Sequence, residues 1–222
     1  MPDLELIGGP QSNYVWTCRI ALAEKGVPYT LTATMPHTPV ADATHPLGKI
    51  PSIRHGDVTL CESRAICAYI DRAFTGPPLM PLDVANAAEV EQWISIVNTG
   101  IQPVTSQYLS GYFFPGTPDG GPNRARIDAA LPKMEPLFAL LDRTVAKNGY
   151  LAAGAFTLAD MTLMPMLYYL SKVPESSAML NKSTNLRTYL DRHLTRASVR
   201  QTVPPPLPQH AHLLAAESRP SP

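Results

Sequence analysis

The stretch His45-Pro46-Leu47-Gly48-Lys49-Ile50-Pro51, followed eleven residues later by Glu62-Ser63-Arg64-Ala65-Ile66, decides the reading of this chain. An Ile-Pro bond at the entry to a short strand favours a cis peptide, because the trans preference of an X-Pro bond is only about 0.5–1 kcal/mol. There the Ile50 amide and carbonyl can face outward and pair with an extended ligand backbone, as a sheet edge does. Glu62-Ser63 falls where a strand gives way to an apolar-periodic helix. The Ser63 hydroxyl and the first-turn amides suit a carboxylate at the positive end of that helix, and Glu62 suits a neighbouring ammonium. A γ-glutamyl group carries that pair of charges, so these residues point to glutathione as the ligand.

Working outward, Leu4-Glu5-Leu6-Ile7 is a short apolar strand stopped by Gly8-Gly9-Pro10, and residues 14–25 read as a helix closed by Gly26. A strand over 29–34 follows. Residues 52–54 and 58–60 flank His55-Gly56-Asp57 as a hairpin, and 63–74 form the next helix, with Ile66, Tyr69 and Ile70 at helical spacing. A parallel βαβ unit joined to a ββα unit predicts a four-stranded, thioredoxin-like α/β domain over residues 1–75. A Pro-rich linker over 76–84 leads to an all-helical domain over 85–200, where strand signals vanish. Its first helix is expected from Ala85 to Tyr112. A second is expected from Asn123 to Lys147, with Pro132 and Pro136 kinking or shortening it. Thr157 and Asp160 form a capping box at a third helix start, and Phe156 is placed to staple onto Met161. Residues 201–222 read as a loosely ordered Pro-rich tail.

Composition limits what the chain can be. Its 222 residues, 45% hydrophobic, suffice for two small cores. Eighteen basic residues balance 18 acidic ones, which argues against nucleic acid as a partner. No apolar run approaches the roughly 20 residues of a bilayer span, and the N-terminal residues lack a basic region followed by an apolar core, so a cytoplasmic protein without membrane partners is expected. Cys18, Cys61 and Cys67 are odd in number and have neither CxxC nor metal-ligand spacing, which fits a reducing compartment and no metal.

Four segments, residues 12–29 (SNYVWTCRIALAEKGVPY), 45–51 (HPLGKIP), 62–70 (ESRAICAYI) and 149–161 (GYLAAGAFTLADM), together resemble the soluble glutathione transferases over residues 4–200. The resemblance is to serine-type members of phi, theta and zeta kind, with a bacterial origin expected. It implies a thioredoxin-like glutathione domain followed by an all-α domain for the second substrate, and a homodimer. The implied reaction is conjugation of the glutathione thiolate to small, largely apolar electrophiles. The alternatives are a zeta-like glutathione-dependent isomerase, disfavoured because SNYVWTC lacks the SSCS-type run, and a non-catalytic binding or regulatory protein on the same scaffold.

Conjugation needs a thiolate near neutral pH, whereas a cysteine thiol titrates near 8.5. A hydroxyl hydrogen bond to the anion, worth about 1.5–3 kcal/mol, lowers that value by about one to two units. Ser12, just before the first helix, matches the family's active-site serine, with Asn13 as a rival donor and Tyr14 as a further hydroxyl candidate. The resemblance places Glu62 and Ser63 on the γ-glutamyl group and Ile50 and Pro51 beside the cysteinyl backbone. It directs Lys49 to the glycyl carboxylate, with His37 as a second contact in a context that departs from the phi pattern. Tyr14, Tyr108 and Tyr112 are candidate walls of the electrophile pocket, and Cys18 is expected to be core.

Overall fold

The computed structural model describes residues 3–206 and divides into two compact units. The first holds the chain up to Asp83 together with Leu194–Pro205, and the second holds Val84–His193. In the first unit the elements run β1 (Leu4–Ile7), α1 (Asn13–Glu24), β2 (Thr30–Thr32), α2 (Pro39–Asp42), β3 (Ser52–His55), β4 (Val58–Cys61) and α3 (Ser63–Ala73). The sheet order is β2-β1-β3-β4, with β1 parallel to β2 and antiparallel to β3, and β3 antiparallel to β4. This is the thioredoxin-like arrangement that the order of apolar runs demanded.

The core of this unit follows from periodicity. Leu6, Ile7 and Ile53 of the sheet, Val15, Trp16, Ile20 and Leu22 of α1, and Ile66 and Ile70 of α3 are fully buried. Each such side chain contributes roughly 1.5–3 kcal/mol by leaving water. Helix α1 stops where the Lys25 cap passes to Gly26, whose φ of 64 suits a residue without a Cβ. The Pro-rich stretch after α3 is anchored: Asp71 pairs with Lys25 at 2.8 Å and accepts from the Leu79 N–H at 2.9 Å.

The second unit contains α4 (Val84–Ser95), a π-helical segment (Ile96–Ile101), α5 (Gln102–Phe113), α6 (Arg124–Val145), α7 (Leu158–Leu170), α8 (Pro174–Lys182) and α9 (Thr184–Leu194). The single helix expected over 85–112 is thus interrupted by a wide turn. Pro103 supplies no N–H and its ring crowds the carbonyl four residues back, which a π turn relieves. Helix α6, by contrast, runs through Pro132 and Pro136 unshortened. Its buried stripe of Ile127, Ala130, Met134, Phe138 and Leu141 continues across both prolines and sustains it. At the start of α7, Asp160 accepts from the Thr157 N–H at 2.9 Å, completing the capping box, and Phe156 and Met161 are both buried.

The chain after α9 differs from expectation. Leu194–Pro205 groups with the first unit, carrying the short helix α10 (Ala197–Arg200) onto α1. The boundary expected at residue 200 therefore falls inside a packed segment, and the tail expected from residue 201 begins with Thr202 and Pro204 buried. The rest of that expected tail, 207–222, lies outside the described residues.

Candidate functional site

One row across the sheet organises the site. Thr32 of β2, Ile7 of β1, Ser52 of β3 and Cys61 of β4 are successive register partners. Three of the strands end at that row and β3 begins there. Ser12 follows Ile7, Ile50-Pro51 precedes Ser52, Glu62-Ser63 follows Cys61, and His37 follows Thr32. All four segments leave the sheet along one edge, although they are far apart in sequence.

Ser12 is the N-cap of α1, in extended backbone, and its Oγ accepts from the Val15 N–H at 3.5 Å. A hydroxyl that accepts from the backbone retains its own proton to donate. Asn13 opens the helix and Tyr14 follows, both half-buried. Burial, and after it the charge of Glu62, push the Tyr14 phenol up and keep it protonated, which places that ring within the field of the Glu62 carboxylate. Gly8, at φ 149, permits the close approach of α1 and the Ile50 loop. A Cβ there would lie 2.5 Å from Val15 Cγ2 and 3.2 Å from Ile50 Cβ, so any side chain would force them apart.

The Ile50-Pro51 peptide is cis. Pro51 is buried, Ile50 is half-buried and Lys49 is exposed beside them. Gly48, at φ 60, makes the turn before this dipeptide; a Cβ would lie 2.3 Å from Asp42 Oδ1 and 2.8 Å from His37 Nδ1. His37 is exposed and donates its N–H to the Gly48 carbonyl at 2.7 Å, with its own φ at 58. The His37 and Lys49 loops are therefore joined by backbone.

Glu62 occupies the N-cap position of α3 at φ 68 and ψ 117, a region seldom taken by non-glycine residues. Holding it there costs on the order of 1–3 kcal/mol. Its side chain makes no cap hydrogen bond and is 67% exposed. The first-turn amides of α3 thus lack a side-chain acceptor from the cap residue, and with the half-buried Ser63 they form a donor set for an anion. Behind Glu62 stands His45, a residue of the quoted motif to which the sequence assigned no role. Its side chain is 3% exposed, and its Nδ1 accepts from the Leu47 N–H at 3.0 Å. That bond puts the ring proton on Nε2, which lies 3.4 Å from Glu62 Oε1.

Two expected pocket residues are placed otherwise. Tyr108 and Tyr112 are buried within the second unit, and both hydroxyls donate to Glu175 Oε2. The Tyr108 hydroxyl also accepts from the Ser176 N–H at 3.1 Å, so both rings serve the half-buried Glu175 carboxylate. Cys18 is buried with its sulfur 4.0 Å from that of Cys67, and burial pushes its thiol well up, away from nucleophilic use. Among the described residues no group of three His, Cys, Asp or Glu side chains is placed to hold a metal ion, and no helix is long and apolar enough to cross a membrane.

Such a fold, with its loops gathered at one sheet edge, defines a thioredoxin-like domain built to hold a small peptide, followed in the chain by an all-helical unit. The chain belongs to the glutathione S-transferase family. Residues 6–78 match the family model described as Glutathione S-transferase, N-terminal domain, and residues 124–192 match Glutathione S-transferase, C-terminal domain. The curated relative Glutathione S-transferase 3 of Zea mays is 30% identical over 220 residues, covering 93% of this chain and 98% of the relative. The structure of glutathione S-transferase III in apo form superposes with a TM-score of 0.81 at 28% identity, over 93% of this chain and 100% of that one. That of the theta class glutathione S-transferase from the citrus canker pathogen Xanthomonas axonopodis pv. citri, with glutathione bound, does so with a TM-score of 0.81 at 26% identity, over 93% and 100%.

Proposed function

We propose that this chain, a glutathione transferase, adds the glutathione thiolate to small, largely apolar electrophiles as a serine-type enzyme, with Ser12 stabilising the sulfur. The observation that carries the reading is the place of Ser12: an N-cap hydroxyl with a proton to give, on the sheet edge that also carries Ile50-Pro51 and Glu62-Ser63. In this reading Glu62 takes the γ-glutamyl ammonium. The Ser63 hydroxyl and the α3 amides take its carboxylate, and the Ile50 backbone pairs with the cysteinyl residue. Lys49, exposed at the rim, faces the glycyl carboxylate, with His37 beside it. The Ser12 hydroxyl donates to the sulfur, the thiol proton leaves to solvent, and the thiolate attacks the electrophilic carbon. A homodimer is the assembly that fits the family resemblance. The bacterial origin is supported by the similarity to the Xanthomonas protein, and the Zea mays relative stands against it.

The test is Ser12→Ala. Glutathione affinity should stay within about threefold, because the γ-glutamyl contacts remain. The pKa of the bound thiol, read from the ultraviolet absorbance of the thiolate, should rise by about one to two units, and turnover at neutral pH should fall about 10- to 100-fold. Undiminished conjugation by a variant that binds glutathione normally would remove Ser12 from the mechanism.

A further inference from the structure

The segment that leaves the helical unit and returns to the first one runs antiparallel along the whole of α1. At the C-terminal end of α1, Arg196 donates two hydrogen bonds to Glu24, at 2.6 and 2.8 Å, and the Ser198 hydroxyl donates to the same carboxylate. Midway, the Trp16 indole N–H, in a fully buried ring, donates to Thr202 Oγ1 at 2.9 Å. At the N-terminal end, the Gln11 side-chain amide donates to the Pro205 carbonyl at 3.0 Å. Partners 24, 16 and 11 thus descend along α1 as partners 196, 202 and 205 ascend. The Val199 side chain, fully buried, fills the contact between α10 and α1.

Two of these contacts, the one at the N-terminal end of α1 and the one midway, bear on Ser12 from both sides. Gln11 is the residue before Ser12, inside the turn that the Ser12 N–H closes on the Gly9 carbonyl at 3.0 Å. Trp16 is one helical turn beyond, and its backbone N–H donates to the Ser12 carbonyl at 2.9 Å. Tethers at positions 11 and 16 fix the turn between them, and with it the Cα–Cβ bond from which χ1 places the Ser12 oxygen, the O–H then turning to its acceptor. A donor aimed at a developing or resting anion acts in proportion to how well its direction is fixed beforehand.

We infer that the strap over residues 196–205 is part of the catalytic domain, and that Gln11 and Thr202 are positioning residues that hold Ser12 toward the glutathione sulfur. The inference rests on the proposed role of Ser12. It goes beyond that role by assigning a function to a C-terminal segment that the sequence presents only as the end of the helical domain and the onset of a Pro-rich tail.

The experiment compares the full-length chain with Gln11→Ala, Thr202→Val, Thr202→Ser and Ser12→Ala, reading the pKa of bound glutathione from thiolate absorbance and separating kcat from KM. Gln11→Ala and Thr202→Val are expected to raise that pKa by about 0.5–1 unit toward its free value. They should lower kcat at neutral pH about three- to tenfold, with KM for glutathione within about twofold. Thr202→Ser keeps the acceptor for the indole and is expected to behave as the parent. A purely structural strap would lower the melting temperature and leave the thiolate pKa of the folded protein unmoved. That result, with Ser12→Ala still raising the pKa, overturns the positioning role alone. If Ser12→Ala also leaves the pKa unmoved, both the strap and the serine assignments fall. Gln11 lies at the surface of the strap contact, so its variant decides the matter if Thr202→Val does not fold.

Discussion

Glu62 keeps its backbone at φ 68 while two-thirds of its side chain stands in solvent, so in the proposed site whatever steadies its carboxylate bears on glutathione affinity. The buried His45 is placed to do this, its tautomer set by the Leu47 amide and its Nε2 proton directed at Glu62 Oε1. His45→Ala is expected to raise KM for glutathione about three- to tenfold, a change of roughly 0.7–1.4 kcal/mol, with kcat at saturation little altered. An analogue lacking the γ-glutamyl amino group should bind parent and variant alike, since Glu62 then has no ammonium to hold; unequal loss of that analogue would break the link. Glu62, Ser63, Ile50 and Pro51 stand out in the sequence as candidates because the roles proposed for them rest on short contiguous motifs and on backbone. His45 does not, because its partner lies seventeen residues away, beyond strands β3 and β4. The burial of Tyr108 and Tyr112 was hidden for a similar reason: aromatic residues four apart on a helix look the same in a core and in a pocket. Only Glu175, far along the chain, distinguishes the two.

That carboxylate joins α5, α6 and α8. Tyr108 and Tyr112 reach Glu175 from α5, and Arg124 reaches it from the first turn of α6 at 2.6 Å. The two kinds of partner should differ in worth. Tyr112 is 8% exposed, and removing its hydroxyl takes one of two tyrosine donors from a half-buried charged acceptor, so Tyr112→Phe is expected to cost about 1–3 kcal/mol. The Arg124 side chain is 54% exposed, and Arg124→Ala should cost less than Tyr112→Phe. Urea midpoints at constant m-value check the order; a larger loss for Arg124→Ala would mean that charge, and not buried hydrogen bonding, holds these helices together. Elements of the first unit were read to within a residue or two at most ends, since alternating and helical apolar spacings there are punctuated by Gly8-Gly9-Pro10, Gly26 and Gly56. The three-residue β2 is shorter than the strand expected over 29–34, and α2 had no periodic signal to announce it. The π segment and the strap were hidden differently. Pro103 shows that a helix is disturbed without showing how, and a Pro-rich composition does not reveal that Thr202 meets Trp16.

At the scale of the whole molecule, each unit carries one glutamate whose titration couples folding to pH. In the first unit burial pushes Glu24 up, but the hydrogen bonds from Arg196 and Ser198 and the charge of Arg196 together bring it below the usual carboxylate range. In the second, burial likewise raises Glu175, and the hydrogen bonds from Tyr112, Arg124 and Tyr108 outweigh it, bringing it down to about 2. The unfolded chain titrates glutamate near 4.3, so below that pH it binds more protons than the native state, and stability falls as pH falls. The contribution of Glu175 is therefore complete above roughly pH 4.5 and is lost on descending toward pH 2, while that of Glu24 begins to disappear in the same region. Neither makes stability vary between pH 6 and 8. Trp16 lies in the first unit and Trp93 in the second, so tryptophan fluorescence of Trp93→Phe and Trp16→Phe backgrounds reports each unit separately. Glu24→Gln is expected to lower the neutral-pH midpoint seen by Trp16 and to flatten its acid slope, because a neutral amide has no proton to gain. Glu175→Gln should do the same for the transition seen by Trp93. Acid slopes that match the parent in both variants would show that other carboxylates govern the acid limb. A slope that changes equally at both reporters would show instead that the two units unfold as one cooperative body, and the two glutamates would then act on a single equilibrium.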